Sequence, residues 1–166
     1  CNRSTVSLSN VKVAANTATL NGGGGIYAND TRLSLSETII QQNTSLASSD
    51  PLSNTGGGGI SYQSSADFAT MGHSDALEMH NVILEDNSSN SSGGGLLLYG
   101  LKSNSATAFN NVTVRNNAAV HNGGGIFSYT DNTTVLSNFI IEGNTAARGA
   151  GVYVGAPHYF QLTNSI

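Results

Sequence analysis

The stretch HNGGGIFSY, residues 121–129, places three glycines directly before a β-forming run that starts at Ile126. A phosphate-binding loop would need the frame G-x-x-x-x-G-K-[ST] and a following helix. Here no lysine follows the glycines, and they lead into an extended segment. Asn122-Gly123 is typical of a β-hairpin turn. A third interpretation is the corner of a repeating structure, where backbones of neighbouring repeats crowd and a Cβ does not fit.

The sequence favours the corner, because the glycine run recurs. Its copies are GGGGIY at 22–27, GGGGIS at 56–61, GGGLLL at 93–98, GGGIFS at 123–128 and GAGVYV at 149–154. A second motif alternates with it. It begins with an apolar residue, a polar residue and, in most copies, an Asn. Two apolar residues separated by one position follow, and then two polar residues, a second Asn and two small residues. The second Asn recurs at spacings of 27, 44, 30 and 27, so the period is about 27 residues, with insertions near 46–55 and 63–75.

Each repeat holds three short alternating runs, which is typical of one turn of a three-sided parallel β-helix and too short for a propeller blade. We therefore predict an all-β fold, a right-handed parallel β-helix (solenoid) of about five rungs with inserted loops. Equivalent residues of successive rungs stack about 4.8 Å apart. Three columns are predicted to point inward: Ile26, Ile60, Leu96, Ile126 and Val152; Leu8, Leu35, Met79, Phe109, Leu136 and Leu162; and Val13, Ile40, Leu84, Val114 and Ile141.

Composition limits the class of protein. Only 10% of residues are charged and the net charge is −4, so the basic surface that nucleic acid requires is missing. No run of about 18 apolar residues is present, and we expect no transmembrane helix. Cys1 is the only cysteine, which excludes an internal disulfide. The chain begins and stops inside a rung, so we expect residues 1–166 to form a single β-helix segment of a longer chain.

The alternation of [VIL]-x-x-N-[TSA]-[AS] with G-G-G-I resembles the repeats of chlamydial polymorphic outer-membrane proteins, which alternate F-x-x-N with G-G-A-[ILV]. IEGNTAARGAGVYV at 141–154 is the closest copy, and the resemblance covers nearly the whole chain. Val, Ile or Leu replaces the Phe of that family, and Gly mostly replaces its Ala. The resemblance implies a β-helix passenger domain of a surface-displayed adhesin, hence an extracellular or cell-surface role. The repeat motif itself carries no chemistry.

The second Asn of the motif is predicted to form an internal ladder, in which each amide bonds the amide one rung away. The ladder residues are Asn16, Asn43, Asn87, Asn117 and Asn144. Seven N-x-S/T sequons permit a glycosylated exterior protein without arguing strongly for one. The glycosylation candidates are Asn2, Asn29, Asn43, Asn87, Asn90, Asn111 and Asn132.

An aromatic stripe follows the inward Ile column, because the residue after each inward position should point outward. Such a stripe can stack sugar rings or pack against a partner, although inserted loops could equally cover it. The candidate binding residues are Tyr27, Leu97, Phe127 and Tyr153, with Tyr99 and Tyr129 two positions further on.

Two charged groups also point outward. Gln41, Glu85, Arg115 and Glu142 form one column, which predicts an external ion-pair ladder. In HSDALEMH, residues 73–80, Glu78 and His80 alternate with apolar residues and should lie together on one strand face. His73 and Asp75 would reach the same area, and such a set suits a metal or acid–base chemistry. The spacing matches no strong motif, so these four are weak catalytic candidates, and we predict no metal or cofactor.

These observations predict a structural or adhesive protein, a rigid scaffold whose outer faces contact glycans or other proteins. The other proteins would be flanking domains of the same chain, or neighbouring molecules that pack against the coil from the side or end to end. One alternative is a polysaccharide-active β-helix lyase or hydrolase, or its non-catalytic carbohydrate-binding domain. Another alternative is a filament-forming module. An enzyme should gather outward acidic and basic residues on two or three adjacent rungs, and the sequence shows this only weakly, at 73–86.

Overall fold

The structure is a computed structural model and describes residues 1–20, 22–47, 55–65, 75–101, 106–130, 134–155 and 160–166. Within these residues the secondary structure consists of seventeen β-strands. The described part of the chain contains no helix long and apolar enough to cross a membrane. The predicted all-β class is confirmed.

Three parallel sheets run along the molecule. The middle sheet contains β4 (Ile26–Asn29), β7 (Ile60–Gln63), β10 (Leu96–Tyr99), β13 (Ile126–Tyr129) and β16 (Val152–Val154). The long sheet contains β1 (Thr5–Ser9), β2 (Lys12–Ala14), β5 (Arg32–Gln41), β8 (Ala76–Glu85), β11 (Ala106–Arg115) and β15 (Phe139–Glu142). The short sheet contains β3 (Thr17–Ala18), β6 (Thr44–Ser45), β9 (Ser88–Ser89) and β12 (Ala118–Ala119). A fourth, two-stranded sheet pairs β14 (Thr134–Ser137) with β17 (Phe160–Thr163).

The chain visits the three sheets in a fixed order and then returns to the first, so it forms a β-solenoid. The middle sheet holds five strands, which bound four complete turns. Every strand pair is parallel, including β13 with β10 and with β16. Asn122-Gly123 is therefore not the turn of a hairpin. The right hand of the coil stays a prediction.

The strand register confirms the predicted columns. Ile26 pairs with Ile60, and the column continues through Leu96 and Ile126 to Val152. The columns that begin at Leu8 and Val13 are likewise in register through β5, β8 and β11. In the last turns the first of these columns is continued by the Leu136–Leu162 pair of the fourth sheet.

The core lies between the sheets and is built from these columns. Ile60, Leu84, Leu96 and Ile126 are completely buried and belong to one hydrophobic cluster. Burying a side chain of this size stabilises the fold by roughly 1.5–3 kcal/mol. Because each turn contributes the same few positions, the core is a stack of similar layers, as expected for a solenoid.

A single left-handed residue, inside a long strand or between two shorter strands as at Asn138, explains why the first Asn of the motif recurs. The backbone has φ of 53° at Asn81, 55° at Asn111 and 58° at Asn138. Among residues with a side chain, Asn and Asp adopt this conformation most easily. At the equivalent position of β5 the chain has Glu37, with φ of 48°.

The glycine runs are corners, as predicted. The first glycine of the triplet has a left-handed φ at Gly93 (68°) and Gly123 (62°). The second is needed for close approach: a Cβ on Gly94 would overlap the carbonyl oxygens of Ala118 and Gly124, both in the next turn. The same position is filled by Ala150 in the last described copy of the corner.

The predicted insertions lie mostly outside the described residues, which omit 48–54 and 66–74. On either side of these gaps the register continues unchanged. Ser45, which precedes both segments, pairs with Ser89, which follows them. Likewise, β5 pairs with β8 over nine residue pairs. The repeating skeleton therefore keeps its geometry on both sides of these segments.

Candidate functional site

The asparagine ladder is confirmed. The side-chain oxygen Oδ1 of Asn117 accepts two hydrogen bonds from Asn87, one from its backbone N–H (3.0 Å) and one from Nδ2 (3.0 Å). Asn87 Nδ2 also donates to the carbonyl oxygen of Ile40 at 2.9 Å. The same pattern links the other ladder residues from Asn16 to Asn144. The ladder closes the turn after each long strand, which gives it a structural role.

Two of the glycosylation candidates are ladder residues, and their side chains are buried. Asn43 and Asn87 are 0% and 1% exposed, and each Nδ2 donates two hydrogen bonds inside the turn. A glycan on either nitrogen would break those bonds and would have no space. As acceptor sites in this fold, these two predictions are wrong, because a sequon records three neighbouring residues and not the direction of the side chain.

The other sequons differ in accessibility. Asn2, Asn90 and Asn111 are exposed, whereas Asn29 is half-buried and its Nδ2 donates to Asn2 and Asp30. Asn111 Nδ2 donates to Asn81 Oδ1 at 2.8 Å. Asn132 lies outside the described residues. Among the described sequons, Asn2, Asn90 and Asn111 therefore combine exposure with a position away from the ladder.

The aromatic stripe is the largest departure from the prediction. Leu97 and Phe127 are completely buried, although they alternate with inward residues and lie outside the core cluster. Their side chains are on the outer face of the middle sheet, yet they are not accessible to a ligand. The expectation that these two residues form an exposed binding surface is wrong. Alternation along a strand assigns the face of a residue and not what covers it.

The tyrosines of the stripe are partly accessible and stack along the coil. Tyr99 and Tyr129 have ring centroids 5.3 Å apart, and Phe127 and Tyr153 have centroids 5.6 Å apart with nearly parallel planes. Tyr129 is 37% exposed. Because the rings stack on each other from one turn to the next, much of their flat surface is already used within the chain.

Tyr27 lies on the first turn of the same stripe. Its side chain is 38% exposed and its hydroxyl donates to Gln63 Oε1 at 3.4 Å. Partial burial, and then the nearby Asp30 carboxylate, raise the pKa of the Tyr27 phenol. The accessible part of the stripe is therefore two separated regions, Tyr27 at one end and Tyr129 with its neighbours at the other.

The outward charged column forms one ion pair. Arg115 Nη2 and Nε lie 2.6 and 2.9 Å from Glu85 Oε2. This hydrogen bond, with the charges of Glu85 and Glu142, raises the pKa of the Arg115 guanidinium. The pair joins two neighbouring turns on the surface, where such interactions contribute little to stability.

The structure separates the weak catalytic candidates. Glu78 and His80 are both exposed on β8 and alternate with buried Leu77 and Met79, as the sequence predicts. Asp75 is only 2% exposed. His73 lies outside the described residues. Glu78 and His80 are therefore the candidates that share an accessible face.

The buried Asp75 instead influences the interior. The Tyr62 hydroxyl is buried and donates to the carbonyl oxygen of Thr31 at 2.6 Å. Burial, and then the charge of Asp75, raise the pKa of the Tyr62 phenol well above its ordinary value. Asp75 is thus part of the polar interior at the start of β8.

Glu78 and His80 line a groove on the outer face of the long sheet. A depression of about 250 Å³ is lined by both residues and by Ser34, Ser36 and Asn110. A smaller depression of about 130 Å³ adjoins it, sharing Ser34 and Glu78. The Asn110 side chain lies 3.2 Å from His80 Nδ1. Sequence reasoning missed the serines and Asn110, because they are unremarkable in a chain rich in Ser and Asn.

The groove offers hydroxyl, amide, imidazole and carboxylate groups, and its smaller depression adds the guanidinium of Arg32. Glu78 is the one carboxylate among the residues that line it. Hydrolysis of a glycoside by the common mechanisms needs two carboxyl groups, about 5–9.5 Å apart. Across the described part of the chain, no three His, Cys, Asp or Glu side chains are grouped to hold a metal ion. The lining groups therefore include one carboxyl group, where the common hydrolytic mechanisms use two.

No family model, no curated protein and no solved structure matches the chain. The geometry of the chain establishes a β-solenoid repeat protein with stacked glycine corners and an asparagine ladder, and it places one polar groove on the outer face of the long sheet.

Proposed function

We propose that this chain is part of an extracellular or cell-surface scaffold, whose rigid coil holds outer faces in position for contact with glycans or other proteins. The observation that carries this proposal is the division of the molecule into repeated and variable positions. The ladder and the corners recur at each turn, while the outward residues of the long sheet change from Ser34 to Glu78 to Ala108.

The repeat pattern gives further support. Its alternation of an Asn turn with a glycine run resembles chlamydial polymorphic outer-membrane proteins, a family of surface-displayed adhesins. With charged residues at 10%, the chain has few groups for steering a strongly charged partner. A surface of hydroxyls, amides and tyrosines instead suits neutral, hydrogen-bonding partners.

Surface labelling tests the location. Antibodies raised against this segment should stain intact, non-permeabilised cells of the source organism, and brief protease treatment of those cells should remove the signal. A soluble protein of the cell interior, probed in the same samples, should stain only after permeabilisation. Staining of this segment only after permeabilisation would contradict the proposal.

A polysaccharide-active enzyme is the second candidate, favoured by the presence of Glu78 and His80 in one groove. It predicts new reducing ends or unsaturated products from a panel of polysaccharides. Those products should disappear in Glu78→Ala and His80→Ala. Because the groove has a single lining carboxylate, binding without hydrolysis is the better supported role.

A further inference from the structure

The two depressions on the long sheet form one groove along the coil. They share Ser34 and Glu78, and together they are lined by residues of β1, β5, β8 and β11. Four adjacent strands at 4.7–4.9 Å extend over about 14 Å. Three outward columns contribute its lining. They are Thr5, Arg32 and Ala76; Ser7, Ser34, Glu78 and Ala108; and Ser36, His80 and Asn110.

The groove exists because most of these outward side chains are small. Ser34, Ser36 and Ala108 leave space beside the longer Glu78 and His80. On the other half of the same strands the outward positions carry Ile39 and Ile83. The site is therefore a property of the register between turns, since β5 and β8 are separated in sequence by both insertions.

The polar groups of the groove are arranged for a ligand that both donates and accepts hydrogen bonds. When the Asn110 amide donates to His80 Nδ1, the neutral imidazole carries its proton on Nε2. Nε2 then offers a donor, while the Glu78 carboxylate offers acceptors two residues away on the same face. Their Cα atoms lie about 6.5–7 Å apart on an extended strand.

We propose that this groove binds a neutral polysaccharide chain that lies along the coil axis. Neighbouring hydroxyls on a sugar ring donate to Glu78 and accept from His80, while Ser34 and Ser36 supply further hydroxyl partners from the preceding turn. This inference deepens the proposed scaffold function, on which it rests, by assigning the contact to the long sheet and not to the aromatic stripe.

Charge and backbone geometry disfavour other occupants. A uronate-containing or sulfated chain would bring negative charge against Glu78, which lines both depressions, and against a protein of net charge −4, whereas the Arg32 guanidinium lines the smaller depression alone. A peptide that adds as a β-strand needs an unpaired sheet edge. The groove instead lies on the face of β5 and β8, whose backbones already pair with their neighbours.

Affinity electrophoresis tests the proposal with defined polymers. The protein is run in native gels that contain dextran, galactomannan, xylan or polygalacturonate, and retardation is converted to Kd. At least one of the three neutral polymers should retard the protein, and polygalacturonate should not. Glu78→Gln should raise Kd about tenfold or more, the effect of losing hydrogen bonds to a charged group.

Two further variants keep the result specific to the groove. Ala108→Trp fills an exposed position of the groove and should abolish retardation without unfolding the protein. Glu142→Gln removes an exposed carboxylate from another column of the long sheet and should leave Kd unchanged. Equal losses in Glu78→Gln and Glu142→Gln, stronger binding to polygalacturonate, or no retardation by any neutral polymer would overturn the groove as the site. Surface staining of intact cells would survive that outcome, so the two failures are distinguishable.

Discussion

The corners formed by the glycine runs and the outer face of the long sheet differ in how their residues change from turn to turn. At the corner, Gly58, Gly94 and Gly124 occupy one column, and a Cβ added to any of them would overlap the carbonyl oxygen of the equivalent residue in the next turn. On the outer face, Ser34, Glu78 and Ala108 also occupy one column and share no chemical group. Residues fixed by contact with the next turn therefore repeat, whereas residues that face solvent are free to acquire a role.

The corner should be the most sensitive position. Gly94→Ala is expected to lower the free energy of unfolding by about 4 kcal/mol or more, because the added Cβ overlaps two backbone oxygens that cannot move independently. Urea denaturation followed by far-ultraviolet circular dichroism measures this change.

Gly151→Ala is the matched control for that substitution. Its added Cβ would lie 3.3 Å from Ile141 Cγ2 and meet no backbone atom of another turn. The expected change is within about 1 kcal/mol. Similar effects at Gly94 and Gly151 would show that stacking of the corners is not what requires glycine.

The buried part of the aromatic stripe should behave as core. Phe127→Ala is expected to cost about 3 kcal/mol, because Phe127 is completely buried and stacks on Tyr153. Tyr129→Ala in the same strand removes a 37% exposed ring and should cost about 1 kcal/mol. Thermal and urea unfolding of both variants check the difference. If Phe127→Ala costs no more than Tyr129→Ala, the stripe is an accessible surface after all.

The ladder should be less sensitive than the corner and still clearly measurable. Asn117→Ala is expected to cost about 1–3 kcal/mol, since it leaves the Asn87 N–H and Nδ2 without their shared acceptor. Asn90→Ala removes an exposed amide from the adjacent turn and should change stability by less than about 0.5 kcal/mol. A loss below about 0.3 kcal/mol for Asn117→Ala in urea unfolding would contradict the claim that the ladder's hydrogen bonds stabilise the fold.

The repeated region could be predicted from the sequence because its physical constraints act at fixed positions. The same contact with the next turn selects Gly at 58, 94 and 124, and the same hydrogen bonds select Asn at 87 and 117. Writing the repeats above one another therefore recovers the columns, the ladder and the corners. Alternation likewise placed Glu78 and His80 on one exposed face.

The variable region could not be predicted to the same depth. Nothing in the pattern around Phe127 distinguishes a covered outward residue from an exposed one, because the covering depends on contacts distant in sequence. The groove depends on the register that brings Ser36 beside His80, across both insertions, and His80 beside Asn110. Each of these serines and asparagines is ordinary by itself in this composition, so no local signal marks the site.

The ladder and the corners determine stability, whereas the groove residues do not. The most direct test of this division is the stability of a double variant, Glu78→Gln with His80→Gln. Both side chains are exposed on β8 and make no contact with the ladder or the corner that the described structure shows. The account predicts an unfolding free energy within about 0.5 kcal/mol of the parent protein, as for surface substitutions in general. A loss of about 1–3 kcal/mol, equal to that expected for Asn117→Ala, would contradict it, because the groove would then belong to the framework.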